Sequence, residues 1–377
     1  MNRFFVLLIL VLVAGASQGL ILPLLSLLLE KQGIAASVNS LSAAALYVGA
    51  LLAVFFVEKP LVRYGYKPLL VVGLVMVVSS TFLFAVIGYS FIIWLVLRFL
   101  VGVGDSILHY ATQTWIADQS PENKRGRYMS LYGLMYSLGF SIGPLGINLL
   151  AYGTWVPFIV MGSLFGMTGL LLYTIRNERP PARKGGSSSK TYGRVYVLVW
   201  LPLLAPFLYG LMEAALNVSF PIYAAELHIS DGWISLILPS FVLGSLLLQV
   251  PLGMLSDRFG PQLILRVCAV LGGLVFFIVP FVGDHVYGLM ILFALAGTFV
   301  GSFFGLGLAY VAMLLPRTLL ASGNVLASLH FDSGSLVGPG LGGLAMEAFG
   351  GASLFYMLGS FLILFALAGV FFRHRAF

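Results

Sequence analysis

Asn177 to Thr191 reads NERPPARKGGSSSKT, and it is the one long polar segment in a chain of 377 residues. Its Pro, Gly and Ser content is that of a flexible linker. On both sides the sequence consists of apolar runs near 20 residues separated by short polar punctuation. Hydrophobic residues make up 60% of the chain, charged residues only 9%, and the mean hydropathy is +1.04. An ordinary globular chain has about 45–50% and about 25%, so a soluble fold is excluded. Lipid admits only helices and closed barrels, and barrel strands alternate in polarity. Continuous apolar runs of this length are therefore spanning helices.

Outward from the linker, six runs precede it and six follow. The first six lie near 4–29, 38–58, 68–88, 90–117, 126–150 and 155–175. The second six lie near 195–222, 233–255, 262–283, 286–315, 320–346 and 352–372. The first run starts like a secretory signal, with Arg3 ahead of it and a small-residue stretch at Ala14-Gly15-Ala16-Ser17. It continues through Pro23 to Glu30-Lys31, too long for a signal, and is read as a span. The expectation is an all-α integral membrane fold of twelve transmembrane helices in two pseudo-symmetric six-helix bundles. Residues 1–175 form the first bundle, 176–194 the linker and 195–377 the second bundle.

The net charge of +7 is a topology signal. An even number of spans puts both termini on one side, and Arg3, Lys59, Arg63, Lys67, Arg125, Arg127, Arg258, Arg373 and most other basic residues fall there. Only Lys31 falls on the other side. By the positive-inside rule both termini are expected in the cytoplasm, and the basic residues imply no nucleic acid partner.

One offset of 195 residues superposes punctuation residues of the two halves. Gly49 meets Gly244, Arg63-Tyr64-Gly65 meets Arg258-Phe259-Gly260, Gly102 meets Gly297, Gly139 meets Gly334, and Gly143-Pro144 meets Gly338-Pro339. With 44 glycines single matches would carry little, but clustered matches at one offset across a whole half mark an internal repeat. Parallel repeats of six spans are the pattern of carriers that rock about a site near the bilayer midplane.

Three motifs occur in an order that resembles the major facilitator superfamily. They are Gly253-x-x-x-Asp257-Arg258-x-Gly260 after the eighth span, Arg98-x-x-x-Gly102-x-Gly104 in the fourth, and Pro121-Glu122-x-x-Arg125-Gly126-Arg127 after the fourth. The resemblance covers the whole chain and says nothing specific about substrate. It implies a cytoplasmic gate formed from Arg63, Glu122, Arg125, Arg127, Asp257 and Arg258, in which the loop Asp faces the start of a helix in the other half. The first-half loop departs from the pattern, with Val62 where Asp is expected and Glu58 where Gly is expected. The run Gly334-x-x-x-Gly338-Pro339 resembles the family's antiporter motif, as does, in part, Gly139-x-x-x-Gly143-Pro144. Small residues at this spacing mark tight helix packing, which is the preferred reading of both.

The fourth span carries the chemistry. At about 100° per residue, Asp105 lies about 20° from Arg98 and His109 about 20° on the other side, with Thr112 on the stripe and Gln113 at its edge. A charge at the bilayer centre costs at least about 2.5–3.5 kcal/mol, so such a stripe is expected to line a polar cavity. Mutual neutralisation is the alternative, although seven residues rise about 10 Å. The seventh span repeats the theme with Tyr209, Glu213 and Asn217 at successive fourth positions. An acid isolated in an apolar run is costly when charged and is a candidate proton carrier, or else a neutral group bonded to a neighbouring helix. Asp332 in the eleventh span is a further candidate. Tyr132, Tyr136 and Phe140 form an aromatic row on the fifth span, read as helix packing or as a cavity wall suited to amphipathic cargo.

No phosphate-binding loop is present, which excludes an ATP-driven pump. The five histidines have no metal-ligand spacing, the single Cys268 has no disulfide partner, and no cofactor or metal is expected. The sequence therefore reads as a monomeric, proton-coupled secondary transporter of a bacterial cytoplasmic membrane, not an enzyme. Its expected partners are a small-molecule substrate, protons and the lipid bilayer, with export of amphipathic compounds as the preferred direction. Proton-linked uptake of a small polar or anionic nutrient, a lipid flippase, and a non-transporting sensor with the same fold stay open.

Overall fold

The computed structural model describes residues 3–87, 90–120, 125–180, 189–316 and 319–371, with backbone alone at 125–127, 130, 189–191 and 321. Every regular element among the described residues is helical. In order these are α1 (Arg3–Lys31), α2 (Ala36–Tyr64), α3 (Tyr66–Val86), α4 (Phe91–Gln119), α5 (Arg125–Ile142), a 3₁₀ helix (Gly143–Tyr152) and α6 (Val156–Leu172). There follow α7 (Ser189–Glu226), α8 (Asp231–Phe259), α9 (Pro261–Val282), α10 (Val286–Val300), α11 (Phe303–Leu314), α12 (Leu320–Phe349) and α13 (Ser353–Phe371). Ten segments are long and apolar enough to cross a bilayer, with α5 and the 3₁₀ helix forming one and α10 and α11 another. The 17 residues of α6 and the 30 of α12, which carries His330 and Asp332, complete twelve segments.

The interruptions have local causes. Pro144 has no N–H to continue α5, and the chain tightens into 3₁₀ geometry there. Pro202 removes a helix hydrogen bond one turn downstream of the kink at Val199, where φ is −124°. The helix α7 starts at Ser189, inside the segment read from sequence as linker. Single glycines with left-handed backbone, Gly65 (φ 93°) and Gly260 (φ 86°), turn α2 into α3 and α8 into α9.

The chain divides into two compact units, Met1–Leu25 with Leu41–Lys184, and Ser26–Ser40 with Gly185–Phe377. In the first, Gly139 of α5 and Gly143 at the start of the 3₁₀ helix lie against the backbone of α1: a Cβ on Gly139 would stand 2.0 Å from the Leu12 carbonyl oxygen. A Cβ on Gly102 would stand 1.9 Å from the Leu46 oxygen, where α4 crosses α2. In the second unit the same contacts recur 195 residues on. A Cβ on Gly334 of α12 would stand 2.0 Å from the Phe207 oxygen, one on Gly338 2.3 Å from that of Leu211, and one on Gly297 1.8 Å from that of Phe241. Small residues let the backbones of paired helices approach this closely. Pro144 and Pro339 are buried beside these crossings.

The tip of the α1–α2 hairpin packs within the second unit. Ser26 donates to the Val218 carbonyl, Asn39 Nδ2 donates to the Ser26 carbonyl at 2.8 Å, and Lys31 Nζ pairs with Asp231 at 2.5 Å. Within the first unit, the chain leaving α6 is docked. The Glu178 carboxylate accepts from Arg3, from Gln119 Nε2 at 2.6 Å and from Trp115 Nε1 at 3.1 Å. Its carbonyl takes the Tyr66 N–H at 2.9 Å, and Asn177 bridges the Tyr64 carbonyl and the Lys67 N–H. Trp115, fully buried, stacks on Tyr66 at 5.0 Å.

Candidate functional site

In the first unit the middle of α4 faces α1 and α5. Asp105, 3% exposed, accepts a hydrogen bond from Gln18 Nε2 of α1. The other end of that amide, Oε1, accepts from the Tyr136 hydroxyl of α5 at 2.7 Å. His109, one turn after Asp105, shares a 2.6 Å hydrogen bond between Nδ1 and the Tyr132 hydroxyl and packs edge-on to Tyr136 at 4.7 Å. Its Nε2 stands 3.7 Å from Asp105 Oδ2, beyond hydrogen-bond length, and is buried without another partner. Three helices are thus tied to one buried carboxylate, which pairs with no Lys or Arg among the described residues. A carboxylate held by an uncharged amide, without Lys or Arg beside it, is costly to keep charged within lipid.

Arg98 is fully buried on the same helix and sits apart from this cluster. Its Nη1 donates to Ser42 Oγ of α2 at 3.0 Å, its Nε and Nη2 have no hydrogen-bond partner, and no acid pairs with it among the described residues. Thr112 Oγ1 is likewise buried without a partner, while Gln113 is exposed. The α4 stripe therefore divides into a lone guanidinium and, further along, an acid–histidine pair.

In the second unit Glu213 is half-buried in α7. The Tyr209 hydroxyl donates to its Oε1 at 3.1 Å, and Asn217 Nδ2 donates to its carbonyl at 2.8 Å, so both neighbours at fourth positions serve the same residue. Tyr209 also packs on Phe331 of α12 at 5.9 Å, next in sequence to the half-buried Asp332. His330 is held by the Leu326 carbonyl at 2.7 Å and stacks on Tyr196.

Of the residues assigned to a gate, Arg63 is exposed and lies over the Tyr64 ring at 5.2 Å; Arg258 does the same with Phe259 at 5.1 Å. Asp257 is exposed. Glu122 lies outside the described residues, as do the side chains of Arg125 and Arg127. Glu58 is exposed and makes no ion pair among the described residues.

Sequence reasoning passed over Gln18 and Glu178. Gln18 is the one amide within the first apolar run, where an uncharged polar side chain needs an internal partner, and that was the available signal. Glu178 sits in a stretch whose composition reads as a flexible linker, and nothing local distinguishes a docked carboxylate from a solvated one.

The family model of the Major Facilitator Superfamily matches residues 7–206 and again 202–376. An uncharacterised MFS-type transporter of Bacillus subtilis (strain 168), YfkF, is 41% identical over 361 residues, which is 94% of this chain and 92% of the relative. The uncharacterised MFS-type transporter YcaD of Escherichia coli (strain K12 / DH10B) is 23% identical over 279 residues, covering 73% and 71%. Among solved structures, the nucleoside transporter NupG superposes with a TM-score of 0.76 at 14% identity over 98% of each chain. A bacterial homologue of the human lysosomal transporter Spinster, inward-facing and unoccupied, gives 0.70 at 15% identity over 98% and 95%. At these identities the two structures establish a shared fold.

Proposed function

The chain belongs to the Major Facilitator Superfamily and is a multi-pass membrane transporter, not an enzyme, and from that premise we propose that it is a proton-coupled secondary carrier working by alternating access. The carrying observation is the buried Asp105, joined to α1 and α5 through Gln18, Tyr136 and His109 without a paired Lys or Arg among the described residues. A carboxylate in this setting exchanges a proton when its surroundings change, and the hydrogen bonds it loses or gains act on three helices at once. Glu213 with Tyr209 supplies a second acid in the other unit. We place both termini in the cytoplasm of a bacterial cell on the distribution of basic residues and read the carrier as a monomer. We read the half-buried Tyr136 as aromatic surface for amphipathic cargo, and from it we infer export.

The test uses inside-out vesicles with an acidified lumen and an amphipathic fluorescent dye. Asp105→Asn and Glu213→Gln are assayed separately for gradient-driven accumulation and for gradient-independent exchange. The expected result is loss of the first with retention of the second in at least one variant. Full gradient-driven transport in both variants overturns the assignment of coupling to these acids. A second reading, uptake of an anionic nutrient, rests on Arg98, whose two unpartnered donors suit a carboxylate or phosphate. It requires proton-driven uptake of an organic anion in right-side-out vesicles that is lost in Arg98→Gln.

A further inference from the structure

The two helices α2 and α4 touch where Gly49 meets the Phe99 carbonyl and Gly102 meets that of Leu46. Beyond this contact they diverge and leave a groove of about 540 Å³, whose walls include Phe56 and Tyr64 of α2, Val72 of α3 and Val103 of α4. The lining is almost wholly apolar. Phe56, Tyr64 and Val72 are more than half exposed at its rim. Along α2 the groove runs from Leu52 to Tyr64, about 18 Å at 1.5 Å per residue. Half of a bilayer's hydrocarbon core is about 15 Å thick, so the groove is as long as one leaflet is deep.

Its far end is basic. At 100° per residue, Arg63 falls within the arc of α2 that lines the groove, Lys59 borders that arc, and Glu58 points about 160° away from Pro60. Lys59 and Arg63 are exposed and neither is in an ion pair among the described residues. Lys67 beside them is held by the Ile175 carbonyl at 3.0 Å and the Tyr173 ring. Tyr64, whose ring carries the Arg63 guanidinium, has the amphipathic character of a residue at the headgroup boundary.

We propose that this groove binds one acyl chain of an anionic phospholipid, whose headgroup phosphate is held by Arg63 and Lys59. An apolar slot one leaflet long, opening on two unpaired cations at its headgroup end, complements that lipid along its whole length. A zwitterionic lipid would fill the slot and gain much less from the cations.

The test measures binding to the purified full chain in detergent by native mass spectrometry and by thermal melting. The probes are phosphatidylglycerol, phosphatidylcholine with the same chains, and inorganic phosphate. The expected result is one retained phosphatidylglycerol, with phosphatidylcholine binding more weakly and phosphate having no effect. In Lys59→Gln/Arg63→Gln the affinity for phosphatidylglycerol falls about thirtyfold, the loss expected for two basic contacts near a lipid surface, and the affinity for phosphatidylcholine is unchanged. Val72→Trp, filling the slot from its exposed rim, lowers the affinity for both lipids. Leu52→Trp does the same from the other wall and serves if the first variant fails to fold. Equal affinity for the two lipids overturns the proposal, as does a preference that survives in the double variant, a rise in melting with phosphate alone, or unaltered binding in both tryptophan variants.

Discussion

A methyl group added at Gly139 bears directly on how the coupling cluster is held. Its carbon would lie 2.0 Å from the Leu12 carbonyl oxygen, about 1.4 Å short of van der Waals contact. The obstacle is backbone in the middle of α1, so no side chain can rotate aside, and α1 and α5 must separate. Separation loosens the reciprocal contacts of Gly15 and Gly19 with the Tyr136 and Phe140 carbonyls, just where Tyr136 reaches Gln18. Overpacking of this kind costs about 1–3 kcal/mol, partly offset by the roughly 1 kcal/mol by which Ala favours a helix over Gly. Because the obstacle is backbone, the upper part of that range, about 2–3 kcal/mol, applies, and the expected net destabilisation is about 1–2 kcal/mol, a drop of a few degrees in melting temperature. Cys268, the chain's single cysteine, is buried, so a thiol-reactive dye reports unfolding directly. Gly334→Ala, whose added carbon would meet the Phe207 carbonyl at 2.0 Å, should lower melting by the same amount if the repeat is structural. Gly133→Ala, on α5 with nothing within 4 Å, should leave melting unchanged or raise it. Melting of Gly139→Ala and Gly334→Ala at or above that of the parent chain refutes the reasoning, as does an equal drop in Gly133→Ala.

The amide bridge yields a further expectation: Gln18→Leu and Tyr136→Phe should act non-additively on melting temperature, with a coupling of about 1 kcal/mol; additive effects would mean that the Tyr136 hydroxyl does not orient the amide. The helix turns discriminate the docked segment. Gly65→Ala and Gly260→Ala both place a side chain in left-handed backbone, at about 1–2 kcal/mol each. A Cβ at Gly65 would also lie 2.4 Å from the Glu178 carbonyl oxygen, while Gly260 has open space, so Gly65→Ala should melt several degrees lower; equal melting argues that the segment around Glu178 does not brace the first unit.

The class of fold is legible in hydropathy alone, because burying a backbone in lipid leaves few solutions and runs near 20 apolar residues select one of them. The sequence by itself also located the internal repeat. Glycines 195 residues apart are where helices must touch, and that requirement survives when the side chains around them diverge. Helical phase put Asp105 and His109 on one stripe, since angle around a single helix is a local property. It also put Arg98 there, and only the tertiary structure separated Arg98, which is bonded to Ser42, from the acid that Gln18 holds. What lies opposite each group depends on which helix packs there, and neither α1 nor α5 announces that in its own sequence. Gln18 and Tyr136 are 118 residues apart and become one bridge only because Gly15 and Gly139 bring their backbones together. The same holds for Glu178: local composition describes its segment as a tether, and its partners Arg3, Trp115 and Gln119 come from two other helices. Periodicity and burial are written residue by residue, whereas a polar contact between helices is a property of a pair and is fixed when the helices dock.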